Sequence, residues 1–135
     1  MMADIVSMGG ELFVMDDGWF GDKYPRKNDS SSLGDWVVDK NKLPNGIEGL
    51  LSDAKKHGVK FGIWIEPEMA NTTSELYEKH PDWVLKASER DVVLGRGGTQ
   101  VVLDLANPAV QDFVFGVVDN LMTSYPCLLY TSPSP

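Results

Sequence analysis

Residues Leu12 to Gly21 read LFVMDDGWFG, and the fold turns on how they are read. An apolar run passes straight into two adjacent carboxylates, then into a glycine and two aromatics. A strand interior tolerates neither two like charges nor the glycine well; a strand end tolerates both. Glu11 to Met15 therefore reads as an apolar strand of the kind buried on both faces of a parallel sheet. The pattern recurs further on. Val59 to Ile65, VKFGIWI, also ends in acids, EPEM, Glu66 to Met69. Between the two stretches Ile47, Leu50, Leu51 and Ala54 recur at helical spacing. A basic last turn and His57-Gly58 mark the end of that helix.

Working outward, Met1 to Met8 reads as the tail of a helix ended by Gly9 and Gly10. Gly18 to Asn41 is a long loop rich in Gly, Asp, Ser and Lys; loops of this length in compact domains are functional or disordered. Its Trp36, Val37 and Val38 predict that it packs down. Leu43 to Gly46 is a turn. SELYEKHPDWVL holds a short helix ending before Pro81. In QVVLDLANPAVQDFVFGVVDNLM a short apolar run is followed by Asn107-Pro108, an N-cap and first helical position. Val110, Phe113, Val114, Val117, Val118 and Leu121 then recur at helical spacing. Strands alternating with helices predict an α/β fold of right-handed βαβ units in a parallel sheet.

Two strands and their helices cannot cover both faces of such a sheet, so the chain reads as a piece of something larger. Residues 1–126 are taken as the partial domain. Helix 107–122 should lead to a third strand, but CLLYTSPSP, Cys127 to Pro135, turns Pro/Ser-rich instead. One back-translation of these nine residues resembles a transposase sequencing adapter read in frame. They are therefore expected to be a non-native tail, the alternative being an ordinary flexible one.

Composition narrows the partners. The 135 residues carry a formal net charge of -8, which argues against nucleic acid, because phosphate binding needs a basic surface. A neutral polar ligand such as a sugar is compatible with it. No apolar run approaches the ~20 residues of a membrane span, and the N-terminus has no signal-peptide pattern. Cys127, the single cysteine, cannot form an internal disulfide or a zinc site. Cytoplasmic is the default expectation.

The chemistry-bearing residues gather at the strand ends. In parallel α/β architectures ligands bind at the carboxyl ends of the strands. Two carboxylates can hold a polyol by several O–H donors at once, and tryptophans supply the flat wall that a sugar's C–H face needs. Asp16, Asp17 and Trp64 are thus candidate ligand contacts, with Trp19, Trp36, Glu66 and Glu68 on the rim. Arg96, in GRGGTQVVLDL, lies among glycines that let the backbone approach a ligand. Plainer readings stand beside these. DDG after a strand is often a turn, Trp36 and Trp83 suit packing, and Glu66 and Glu68 could brace the rim by pairing with Arg or Lys. Four such acids could also hold a divalent cation, a weaker reading here because no metal-type His spacing occurs. His57 and His80 read as surface residues.

Together LFVMDDGWFG, SSLGDWVVDKNKLPNGIEGL, KFGIWIEPEM, HPDWVL and GRGGTQVVLDLANPAVQDFV resemble the catalytic domain of retaining α-galactosidases of glycoside hydrolase family 36, the melibiase type. The resemblance covers nearly all of Glu11 to Leu121. It implies a (β/α)₈ TIM barrel, with this stretch spanning about strands 2 and 3. It implies that Asp16 and Asp17 grip the galactose hydroxyls at C4 and C6, that Trp64 lines the sugar pocket and that Arg96 contacts sugar hydroxyls. The family's nucleophile, an aspartate in a KWD phrase on the fourth strand, and its acid/base are not in this chain. The resemblance further implies a terminal α-galactoside as the small-molecule substrate, no metal or organic cofactor, and a homo-oligomeric parent. An α-N-acetylgalactosaminidase, a raffinose-synthase-like transferase and a non-catalytic galactoside-binding module are the rival readings.

Overall fold

A computed structural model of the chain describes residues 1–126 and 129–131. Strand β1, Leu12–Met15, and strand β2, Lys60–Trp64, run parallel and pair Leu12 with Lys60 through Met15 with Ile63. Helix α1, Met2–Ser7, precedes them, and helix α2, Gly46–His57, makes the crossover. Gly58 closes α2 at φ 70, a left-handed conformation that only glycine adopts cheaply. Lys55, Lys56 and His57 sit in the last turn, where cations oppose the negative end of the helix dipole. Ile47 and Ala54 are buried, with Leu50 and Leu51 half-buried against the same core.

After β2 the chain departs from the alternating pattern. Met69–Asn71 forms strand β3 and pairs antiparallel with Gln100–Val102, strand β4. The sequence reading took Met69 as the end of the acidic stretch and did not anticipate this two-stranded sheet. Between the two strands lie helix α3, Glu75–Lys79, and two 3₁₀ turns, over Pro81–Trp83 and Arg96–Gly98. α3 is only five residues long, and its start is doubly capped. Ser74 Oγ accepts from the Tyr77 N–H at 3.0 Å, and the buried Asp35 carboxylate accepts from the N–H groups of Glu75 and Leu76, both at 2.9 Å. Helix α4, Pro108–Ser124, starts as its sequence predicts, with Asn107 Oδ1 accepting from the Ala109 N–H at 3.0 Å.

The core divides in two. One cluster joins the β1–α2–β2 unit to the long loop through Trp19, Phe20, Leu33, Phe61 and Ile63. The other lies beneath the antiparallel pair and holds Ala70, Leu76, Val101, Leu103 and Val110. The 18–41 loop packs down, but only in part through the residues expected: Trp36 and Val38 are half-buried and Val37 is exposed, while Trp19, Phe20 and Leu33 are fully buried and Phe20 bridges Val38.

One further strand was not anticipated. The backbone of Leu129–Thr131 forms strand β5, which pairs parallel with β2 from Gly62–Leu129 to Trp64–Thr131. A third parallel strand therefore lies beside the first two, and of its three residues Tyr130 and Thr131 are β-formers. The other residues of 127–135 lie outside the described residues.

Candidate functional site

β1 and β2 end on the same side because they are parallel. Met15 pairs with Ile63, so the next rung brings Asp16 level with Trp64. Asp16 is exposed, and its Oδ1 accepts from the Asp17 N–H at 2.8 Å. The two acids are thereby splayed: Asp16 turns back on its own backbone, and Asp17 reaches to Arg26. That contact is bidentate. Arg26 Nε donates to Asp17 Oδ1 at 2.7 Å and Nη2 to Oδ2 at 2.6 Å. The planar guanidinium fork matches a carboxylate in this way and no ammonium can.

Arg26 is itself held from behind. Its Nη1 donates to the Ser31 carbonyl at 2.8 Å and to Asn71 Oδ1 at 2.9 Å. Its Cζ lies 5.4 Å from the centre of the Phe20 ring. Asn71, fully buried, ties three segments together. Its Oδ1 also accepts from the Leu33 N–H at 3.0 Å, and its Nδ2 donates to the carbonyls of Asp29 at 2.9 Å and Thr99 at 3.3 Å. Lys42 Nζ closes the near side, donating to the carbonyls of Gly18 and Arg26.

Arg96 joins this network at its edge. It sits in a short 3₁₀ turn at φ 30, a conformation that non-glycine residues seldom adopt, with Gly97 and Gly98 following at φ 71 and 73. Its Nε is 3.5 Å from Asp29 Oδ2, and Asp29 Oδ1 is 3.7 Å from Arg26 Nη2. Asp17, Arg26, Asp29 and Arg96 thus alternate in charge along one line. Asp17, Arg26, Asn28, Asp29 and Lys42 line a cleft of about 460 Å³, and Arg96, Gly97 and Thr99 line a second that shares Asn28 and Asp29. Asp16 and Trp64 line neither cleft.

The aromatics form a separate wall. Trp64 is half-buried and stacks on Phe20 with ring centres 6.4 Å apart; Trp36 tilts against both. Phe20 lies between Trp64 and Arg26, so the wall and the charged line meet there. Trp19 is corrected from the rim to the core: it is 0% exposed, and its indole N–H donates to the Trp64 carbonyl at 2.9 Å. Its ring packs against Phe20 and Trp36 and, fully buried, presents no face to a ligand.

Glu66 is 8% exposed, and its Oε2 has no hydrogen-bond partner among the described residues. Burial, chiefly, and the neighbouring Glu68 carboxylate raise its pKa above the ordinary value of 4.5. Arg96 and Arg26 pull it down, and Asp17 adds to the rise. Glu68 is half-exposed, and its carbonyl accepts from the Leu103 N–H at 2.9 Å. Among the described residues, no group of three or more His, Cys, Asp or Glu is placed to hold a metal ion, and no helix is long and apolar enough to cross a membrane.

Sequence reasoning missed Arg26, Asp29 and Asn71. Arg26 and Asp29 lie in KYPRKNDS, which carries no periodicity and reads as a solvated loop.

Comparison with known proteins bears on this arrangement. The family model described as melibiase matches residues 1–130. The α-galactosidase AgaA of Geobacillus stearothermophilus is 46% identical over 119 residues, which cover 88% of this chain and 16% of that protein. α-Galactosidase C of Emericella nidulans is 44% identical over 126 residues, covering 87% and 16%. Among solved structures, the α-galactosidase from Lactobacillus brevis superposes with a TM-score of 0.86 at 41% identity, covering 96% of this chain and 17% of that one. A variant of the Geobacillus AgaA in complex with raffinose gives 0.85 at 42% identity, covering 96% and 17%. These are family 36 glycosidase relatives, and the chain belongs to the melibiase family. It spans about 16% of the length of the curated relatives it matches.

Proposed function

We propose that the chain forms part of the (β/α)₈ catalytic barrel of a family 36 α-galactosidase, contributing β1 and β2 as its second and third strands. The whole enzyme removes terminal α-linked galactose from melibiose- or raffinose-type sugars by double displacement. In such a mechanism one carboxylate attacks the anomeric carbon while another carboxyl protonates the departing oxygen, and water then releases the glycosyl-enzyme. Neither carboxyl lies in this chain. Its part is to bind and orient the sugar. Asp16 and Asp17 accept hydrogen bonds from galactose hydroxyls, Trp64 backs the ring, and Arg96 donates from the opposite edge. Trp36, Glu66 and Glu68 border the pocket.

The observation that carries this reading is the juxtaposition at the strand ends. Asp16 is level with Trp64, and Asp17 is linked through Arg26 and Asp29 to Arg96. Relatives solved with raffinose and with stachyose support the substrate class. The test is galactose release from raffinose by the full-length protein carrying this segment, with and without Asp17→Asn. Release that collapses in the variant supports the reading. No release by the intact protein, or release indifferent to the substitution, overturns it. The 135-residue chain alone is expected to release no galactose.

A further inference from the structure

Arg26 stands outside every role given so far, yet it is the most completely engaged side chain near the strand ends. An arginine has five N–H donors. Four hydrogen bonds take up Nε, Nη1 and one side of Nη2: two to Asp17, one to the Ser31 carbonyl and one to Asn71 Oδ1. The remaining side of Nη2 faces Asp29 Oδ1 at 3.7 Å. The side chain is 2% exposed, whereas Asp17 keeps 28%. A buried guanidinium with four of its five donors engaged is held in one orientation. Its hold on a half-exposed carboxylate is therefore asymmetric, with the arginine as the fixed partner and the aspartate as the positioned one.

We infer that Arg26 is a positioning residue for sugar binding, holding the Asp17 carboxylate in the orientation that receives galactose hydroxyls. This rests on the functional reading above. Each Asp17 oxygen gives one lone pair to Arg26 and keeps another free to accept. The bidentate contact fixes the plane of the carboxylate and hence the direction of the free lone pairs. Without it Asp17 is free to rotate about its side-chain torsions, and ordering it again on binding costs affinity. A lysine would keep the charge but hold only one oxygen, leaving the plane unset.

The experiment uses the full-length protein carrying this segment and 1-deoxygalactonojirimycin as the probe, with its Kd, the KM and kcat on an α-galactoside, and the thermal midpoint measured together. The variants are Arg26→Gln, Arg26→Lys, Asp17→Asn and the double Arg26→Gln/Asp17→Asn. Arg26→Gln weakens probe binding and raises KM on the order of 10- to 100-fold, as loss of orientation does. Arg26→Lys falls between it and the parent. In the Asp17→Asn background Arg26→Gln adds less than about twofold, because coupled residues are not additive. The inference is overturned if Arg26→Gln binds the probe as the parent does, or if its effect is the same with and without Asp17. Loss of folding in both single Arg26 variants also overturns it, making Arg26 a scaffold residue. If Asp17→Asn itself binds the probe like the parent, the sugar-binding reading fails first, and that result is separate.

Discussion

The two sides of the strand-end region are built differently. On the acid side, Asp17 is clamped by a buried arginine, which in turn rests on Asn71, Ser31 and Phe20. On the arginine side, Arg96 is 61% exposed, follows a glycine, and makes one ion pair at 3.5 Å. The acid side is ordered before any ligand arrives; the arginine side has little to hold it. The acid side should therefore set affinity, and the arginine side should contribute late and adjustably. A rigid donor-acceptor frame loses less freedom on binding than an exposed side chain on a turn.

This contrast can be broken in several places. The largest effect is expected from Asn71→Ala, which strips partners from buried polar groups worth about 1–3 kcal/mol each. Chemical denaturation of the full-length protein should show a loss of about 3 kcal/mol or more, together with weakened sugar binding. Next, Asp17→Asn removes charge-assisted hydrogen bonds of roughly 1.5–3 kcal/mol each, giving a fall of about 100-fold in kcat/KM. Stability should fall as well, because the buried Arg26 guanidinium loses its counter-charge and one of its two carboxylate acceptors. Arg96→Ala should raise KM by about tenfold at most, the worth of one exposed charged donor, without moving the thermal midpoint. A stability loss there would show that the two sides are equally built in.

Glu66 probes the ground between the sides through pH. Its folded pKa is raised, first by burial and then by Glu68, so the folded state holds the proton more tightly than the unfolded chain. The protonated form is compatible with its surroundings, and stability is lost as pH rises from about 4.5 through the raised value. Glu66→Gln should match the parent's thermal midpoint near pH 4 and exceed it near pH 7. Equal midpoints at both would mean that its free oxygen is satisfied in the whole protein. The smallest effect belongs to Asp29→Asn. Its pairs at 3.5 and 3.7 Å are long and Asp29 itself is exposed, and such contacts contribute about 0–1 kcal/mol, so KM should shift less than about fivefold.

What was legible in the sequence follows the same division. β1, α2, β2 and α4 were readable because the apolar period, the Gly58 stop and the Asn107-Pro108 start are local signals. The β3–β4 pair was not, since two three-residue strands separated by 28 positions find each other through tertiary packing. β5 was hidden by a Pro/Ser-rich ending that outweighed two strand formers, Tyr130 and Thr131. Of the site, the acids and Trp64 were visible because charge and indole at a strand end are unusual. Trp19 misled for that very reason: beside Gly18 it reads as a rim residue, and only the fold shows it facing inward. Arg26 and Asn71 left no local trace, because their roles exist only between segments.

Asn71 carries a consequence for recombination between relatives. Its amide faces the 26–33 stretch with its oxygen and the carbonyls of Asp29 and Thr99 with its nitrogen. Aspartate has the same outline but lacks the donors, so swapping it in sets oxygen against oxygen. Stretches 26–33, 69–74 and 96–100 should therefore be exchanged as one cassette. A chimera that exchanges one of them for a stretch lacking the matching partner should lose stability, while one that moves all three should keep the Asn71 joint intact.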